Sequence, residues 1–305
     1  MALGHIRMHS SLLPILALLG SMIAQLSAGA LSKSLFPSVG ASGVTTLRTA
    51  FAAGILLAIW RPWRLPLTVR EAWIIGIYGA ALGLMNLLFF LSIESIPVGI
   101  SVSIQFLGPL GVALLTSRRI TDFVWIFLAV SGLFLLLPVQ GTIALDLNGV
   151  AYACAGGLCW ALYILFGRRA GLINGGQAVS LGMVAATIVV APFGVASAGA
   201  GLFAAPIVIA CLGIAVISSV LPYSLEMFAL RRTTGQVFGI LMSLQPAVGA
   251  LVAFLLLQEV ITIIQCLAIS LIIMASVGIM FTENRVGTSY AAASMKRSSR
   301  SSGLS

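Results

Sequence analysis

What most constrains this chain is a succession of apolar stretches, each close to the length of a membrane-crossing helix and set off by Pro, Gly or paired Arg. A helix rises about 1.5 Å per residue, so a bilayer core of about 30 Å takes about 20 apolar residues. Ten runs fit that requirement: 12–31, 44–59, 73–92, 98–116, 122–139, 147–166, 178–198, 206–229, 237–256 and 261–281. The second is short and contains Arg48. Composition explains why water cannot be the surrounding solvent. Only 8% of the residues are charged against 60% hydrophobic, whereas a soluble domain carries roughly 25% charged residues to keep its surface wet. The expectation is an all-α membrane protein of ten transmembrane helices with short connections and no soluble domain.

The basic residues give that bundle an orientation. With the amino terminus inside, inside segments hold Arg7, the group Arg61, Arg64 and Arg70, the pairs Arg118–Arg119, Arg168–Arg169 and Arg231–Arg232, and the basic residues of the tail. Outside segments hold only Lys33. Short inside loops are enriched in Lys and Arg, so both termini are predicted cytoplasmic. Because this charge is scattered singly and in pairs, the net +9 reads as membrane topology and not as a nucleic-acid surface. Residues 1–11 read as a cytoplasmic leader, and the Ser-rich stretch 284–305 as a disordered cytoplasmic tail. The first run, with its basic start and Ala28-Gly29-Ala30, also fits a cleavable signal peptide. The internal repeat argues for a retained helix, since cleavage would leave nine helices and one partner orphaned.

That repeat centres on two prolines. Pro109 lies in FLGPLGVALL and Pro246 in SLQPAVGALV; superposing them pairs Gly76 with Gly213 and Gly20 with Gly157. Residues 12–139, helices 1–5, thus map onto residues 147–281, helices 6–10. Five is odd, so the second copy enters the membrane from the opposite side. Two copies of opposite topology are a structural basis for alternating access in secondary transporters. No phosphate-binding loop is present in the sequence, so the driving force expected is a gradient.

A proline inside a membrane helix frees the carbonyl four residues back, here those of Gln105 and Met242. Such groups are tolerated in hydrocarbon only against protein or a wet cavity. Polar residues collect nearby: Ser101, Gln105 and Gly108; Met242, Gln245 and Gly249; Gly79, Gly83 and Asn86; Ser21, Gln25 and Gly29; Ser219, Tyr223 and Glu226. Each stripe at helical spacing is also what close packing looks like. Gln25, Asn86, Gln105, Gln245 and Glu226 are costlier to bury and are the better candidates for lining a path. Arg48 reads either as a functional intramembrane cation or as one that snorkels to the outer interface. Lys33 reads as an interfacial anchor. Glu226 reads as a partner of Arg231 and Arg232 or as a coupling or substrate group.

The remaining chemistry is sparse. The four cysteines lie inside apolar runs without C-x-x-C spacing and read as small buried hydrophobes. The two histidines, His5 and His9, sit in the leader. No metal site, cofactor or catalytic constellation is expected, so an intramembrane enzyme is the weaker reading and a transporter the stronger.

Six stretches carry a family resemblance: SKSLFPSVGASGVTTLR at 32–48, RPWRL at 61–65, GLMNLLFFLSI at 83–93, SRR-x-x-DFVW across 117–125, LCWALYILFGRRAG at 158–171 and LPYSLEM at 221–227. The chain resembles the EamA, or drug/metabolite transporter, superfamily, and within it the threonine/homoserine exporters. The resemblance implies a ten-helix exporter of hydrophilic amino acids in the inner membrane, with Lys33, Arg48, Asn86, Tyr223 and Glu226 inside matching motifs. Gln105 and Gln245 stand where related exporters often carry Glu, which leaves proton coupling to Glu226 or absent altogether. The expected substrate path is Gln25, Arg48, Asn86, Gln105, Pro109, Tyr223, Glu226, Gln245 and Pro246. The expected substrate is a small neutral amino acid, with broader drug or metabolite efflux as the alternative.

Overall fold

A computed structural model describes residues 2–64, 66–116, 120–136, 146–230, 245–258, 262–275 and 277–278. Among these the regular structure is entirely helical. The elements are α1 (Ala2–Ser32), α2 (Phe36–Trp60), α3 (Val69–Ser95), α4 (Val98–Gln105), α5 (Leu107–Thr116), α6 (Ile120–Leu136), α7 (Leu147–Ala198), α8 (Ala205–Ala215), α9 (Leu221–Leu230), α10 (Gln245–Leu257) and α11 (Ile263–Ala275). Among the described residues, five stretches are long and apolar enough to cross a bilayer: Leu16–Trp60, Val69–Ser95, Leu147–Ile173, Gly175–Phe203 and Ala205–Glu226. Val98–Pro109 and Ile263–Ala275 are shorter apolar helices. Arg118, Arg119, Arg231, Arg232, Met242 and the tail fall outside the described residues.

Two of the long stretches double back. Ser21 bonds to Pro222 and Glu226, while Leu56, far along the chain, packs with Tyr223 at the same level of α9. The fold is therefore a hairpin, whose bend holds a 3-10 turn at Lys33–Leu35 and a break at Gly40 (φ 67°, ψ 167°). That dihedral is open to glycine and strained for other residues. In α7 a Cβ placed on Gly167 would lie 3.1 Å from one edge of the Tyr78 ring, and one on Gly182 would overlap the other edge. Those glycines would stand about 22 Å apart on a straight helix. One ring can touch both only if the 52 residues of α7 fold into two arms.

Polar chemistry marks where helices begin. Thr68 and Glu71 form a reciprocal capping box at the start of α3, and Thr262 and Gln265 exchange the same pair of bonds before α11. Asp146 caps α7 by accepting the Asn148 N–H at 2.8 Å. Inside the bundle, burial runs opposite to a soluble protein. Ser21, Thr45, Arg48, Thr49, Asn86, Ser101, Gln105, Ser218, Ser219 and Gln245 are buried, whereas Leu16, Ile23, Trp73, Phe127, Ile209 and Ile263 are exposed. Apolar side chains facing outward are what a lipid solvent requires. The cysteines divide in the same way: Cys211 is buried, but Cys154 and Cys266 face outward, correcting the expectation that all four are buried.

Small residues set the helix spacing. A Cβ on Gly83 would lie 2.7 Å from the Ala186 carbonyl oxygen, and one on Gly79 would lie 2.6 Å from the Ala185 Cβ. α3 and the second arm of α7 thus approach to backbone contact, as small-residue stripes permit in membranes.

Candidate functional site

The centre of the bundle holds a guanidinium. Arg48 sits two turns past the Gly40 break and is only 2% exposed, so it does not snorkel to an interface. One terminal nitrogen donates to Ser218 at 3.1 Å and Ser219 at 3.2 Å; the other donates to the Asn86 side-chain oxygen at 2.5 Å. Its carbon lies 4.7 Å from the centroid of the Phe90 ring. Phe90 is itself held by Phe36 and Phe89. Among the described residues no carboxylate comes within ion-pair distance of Arg48, and its Nε has no hydrogen-bond partner.

Each partner is placed by local geometry. Asn86 donates back to the Leu82 carbonyl at 2.8 Å, which fixes its oxygen toward Arg48. Ser218 and Ser219 lie in a π-helical turn, Val216–Val220, between α8 and α9. Such turns are rare and concentrate at functional sites. Sequence reasoning named Ser219 and missed Ser218; the adjacent serines in an otherwise apolar run were the signal.

The energetics leave the charge of this guanidinium without a counter-ion among the described residues. An arginine at the centre of a membrane helix costs about 2.5–3.5 kcal/mol on the insertion scale. A desolvated cation–π contact returns about 2 kcal/mol, and neutral hydrogen bonds satisfy N–H groups without cancelling charge. The remaining positive charge and the open Nε–H favour an incoming anion such as a carboxylate.

Tyr223 lies beside this group, an electrostatic neighbour of both Arg48 and Glu226; its buried hydroxyl approaches the Asn86 side chain but makes no well-formed hydrogen bond. Tyr223 belongs to one buried apolar cluster with Ala52, Leu56, Leu82 and Met183. A void too narrow for a water molecule is bordered by Leu56, Trp60, Gly176, Val179, Tyr223 and Ser224. One turn farther along α9, Glu226 accepts from Ser21 at 2.9 Å. Tyr78 and Tyr163, stacked with centroids 5.1 Å apart, are its other electrostatic neighbours.

The glutamines form a separate polar group. Gln245 donates to Gln25 at 3.2 Å, bringing α10 to α1. Gln245 Oε1, Gln105 Nε2 and Ser101 Oγ are buried without partners. The helix containing Pro109 breaks at Phe106, between α4 and α5, where proline removes a backbone donor. The Gln105 carbonyl is covered by Gly157, on which a Cβ would lie 2.9 Å away. Pro246 is the second residue of α10, and the stretch before it lies outside the described residues. Lys33 sits in the 3-10 turn, partly exposed. The structure thus joins Arg48, Asn86 and Tyr223 in one group and Gln25 with Gln245 in another, with Glu226 beside the first.

The chain is 47% identical over 274 residues to the threonine/homoserine exporter RhtA of Salmonella typhimurium (strain LT2), covering 90% of this chain and 93% of that protein. The chain belongs to the EamA-like transporter family. The model of that family matches residues 147–281. A second relative, the threonine/homoserine exporter RhtA of Escherichia coli (strain K12), is 45% identical over 280 residues, covering 92% of this chain and 95% of the relative. One solved crystal structure shares the fold with a TM-score of 0.57 at 16% identity, covering 91% of this chain and 98% of the other. The two curated relatives are named as exporters, and the family to which this chain belongs is one of transporters, not enzymes.

Proposed function

We propose that this EamA transporter exports threonine, homoserine or a closely similar neutral amino acid across the inner membrane by alternating access. The observation that carries the reading is Arg48: a buried guanidinium held by neutral partners, with a free N–H and no carboxylate beside it among the described residues. The substrate carboxylate takes that place. Asn86 orients the guanidinium, and Gln105, Gln245 and Gln25 supply amide groups to the polar ends of the substrate as it moves. The names of the relatives support the substrate class.

The architecture proposed is ten crossings in two inverted repeats, 12–139 and 147–281, with both termini cytoplasmic. The doubled-back arms of Leu16–Trp60 and of α7 support that count, because each long stretch then supplies two crossings. Glu226 is proposed as the proton-bearing group. Gln105 and Gln245 cannot carry a proton, while the Glu226 carboxylate has Ser21 as its donor and faces Tyr78 from α3, Tyr163 from α7 and Tyr223 from its own helix.

Cells producing the wild-type chain should resist external threonine analogues, and Arg48→Ala and Asn86→Ala should remove that resistance at equal protein levels. Undiminished resistance in both variants would reject the assignment. A panel of unrelated drugs separates amino-acid export from broad efflux.

A further inference from the structure

Two polar atoms at the Arg48 group make no well-formed hydrogen bond, although the Asn86 side chain, already bonded to Arg48 and Leu82, lies beside one of them, the Tyr223 hydroxyl; the two atoms differ in kind. Arg48 Nε is a charged donor; the Tyr223 hydroxyl both donates and accepts. Buried polar groups are nearly always satisfied, so an orphan is either a cost or a place held for a ligand. The Tyr223 side chain is buried in one apolar cluster with Ala52, Ala53, Leu56, Leu82, Val179, Met183 and Ala186, which restricts its ring. Its hydroxyl is thereby kept near Arg48, and the side chain also borders the narrow void shared with Trp60 and Gly176.

A carboxylate on Arg48 would place the rest of a small amino acid within reach of this phenol. We propose that Tyr223 is a specificity-determining residue that hydrogen-bonds the side-chain hydroxyl of the substrate, so that the carrier selects hydroxy amino acids over their aliphatic isosteres. The proposal rests on the amino-acid reading above and adds the group that tells threonine from valine. Valine has the shape of threonine with a methyl in place of the hydroxyl. A purely apolar pocket would not reject it, whereas a buried phenol left unpaired by it would. The expected discrimination is roughly ten- to a hundredfold, the range for leaving one buried polar group unsatisfied.

The test is counterflow of labelled threonine in proteoliposomes containing the full chain, competed by unlabelled threonine, valine, homoserine and 2-aminopentanoate. The wild type should need at least about ten times more valine than threonine for half-inhibition, and likewise for 2-aminopentanoate against homoserine. Tyr223→Phe should bring each pair to within about threefold, by weakening the hydroxy compounds while the aliphatic ones hold. Variants that weaken all four equally, or leave the ratios unchanged, would overturn the proposal and leave threonine transport standing. Should Tyr223→Phe fail to insert, the wild-type ratio still decides, because equal competition by valine and threonine is itself fatal. A wild-type chain that exchanges no labelled threonine would reject the amino-acid reading itself, and this assignment with it.

Discussion

At Arg48 the cost of a residue and its use point in opposite directions, and that opposition can be measured. Removing a buried, unpaired cation relieves desolvation, and apolar replacements of buried charges are often neutral or stabilising. Arg48→Met would leave Ser218 and Ser219 able to bond each other across 3.3 Å, with Asn86 still anchored to Leu82. The expected outcome is counterflow reduced at least about a hundredfold, with a melting temperature in detergent equal to or above wild type. A guanidinium kept only to hold helices together would show the reverse, a lowered melting temperature. Glu226 separates the same way. Glu226→Gln keeps an oxygen for the Ser21 hydroxyl but holds no proton, so exchange should persist while accumulation driven by a pH gradient disappears. Gradient-driven transport surviving at wild-type rate would remove Glu226 from coupling. The sequence made these residues visible because charge is rare in an apolar run. It left the fate of Arg48 open, since snorkelling or burial depends on Ser218 and Ser219, which lie far along the chain.

Elements carry the next level of information, and here legibility was uneven. Helices were plain from apolar runs because lipid leaves a backbone few other ways to satisfy its hydrogen bonds. The break near Pro109 was readable for the same reason, since proline lacks the donor that would continue the ladder. The Gly40 break and the π turn at Val216–Val220 were not. Glycine is common in membrane helices, and a π turn has no composition of its own. The Gly79, Gly83, Asn86 stripe was ambiguous between packing and path, and the structure divides it: the glycines meet α7 and the asparagine meets Arg48. Gly83→Leu should therefore wedge α3 from α7 and lower stability by about 1–3 kcal/mol, the usual cost of overpacking. Gly76, on the same helix with nothing within 4 Å, should accept leucine without loss. Thermal unfolding of both variants in detergent checks the contrast, and equal stability would mean the helices are not in backbone contact there.

Across the whole molecule, the two repeats proposed above would be related without being equivalent. Gly76 and Gly213, which the proposed repeat pairs, both have open space around them, but Gly20 has one distant neighbour while Gly157, its counterpart in that pairing, is pressed against the Gln105 backbone. On that reading, packing differs between the repeats where the Pro109 break must be covered. The centre is closed in this conformation: Arg48 is buried, and the void beside Tyr223 admits no water. Toward the Trp60 end of the bundle, the Trp60 ring lies on Gly176, where any side chain would collide with it. Alternating access requires this contact to part when the predicted cytoplasmic side opens. Cysteines at 60 and 176, in a background lacking Cys154, Cys159, Cys211 and Cys266, should cross-link on oxidation, and the cross-linked carrier should lose threonine counterflow until reduced. Each single cysteine should be indifferent to the oxidant. Continued exchange by the cross-linked protein would mean that the path does not pass Trp60. The same background tests orientation: maleimides applied to intact cells should spare cysteines at 118 and 168 and modify one at 33, since the proposed topology puts the first two on the cytoplasmic side and the third outside.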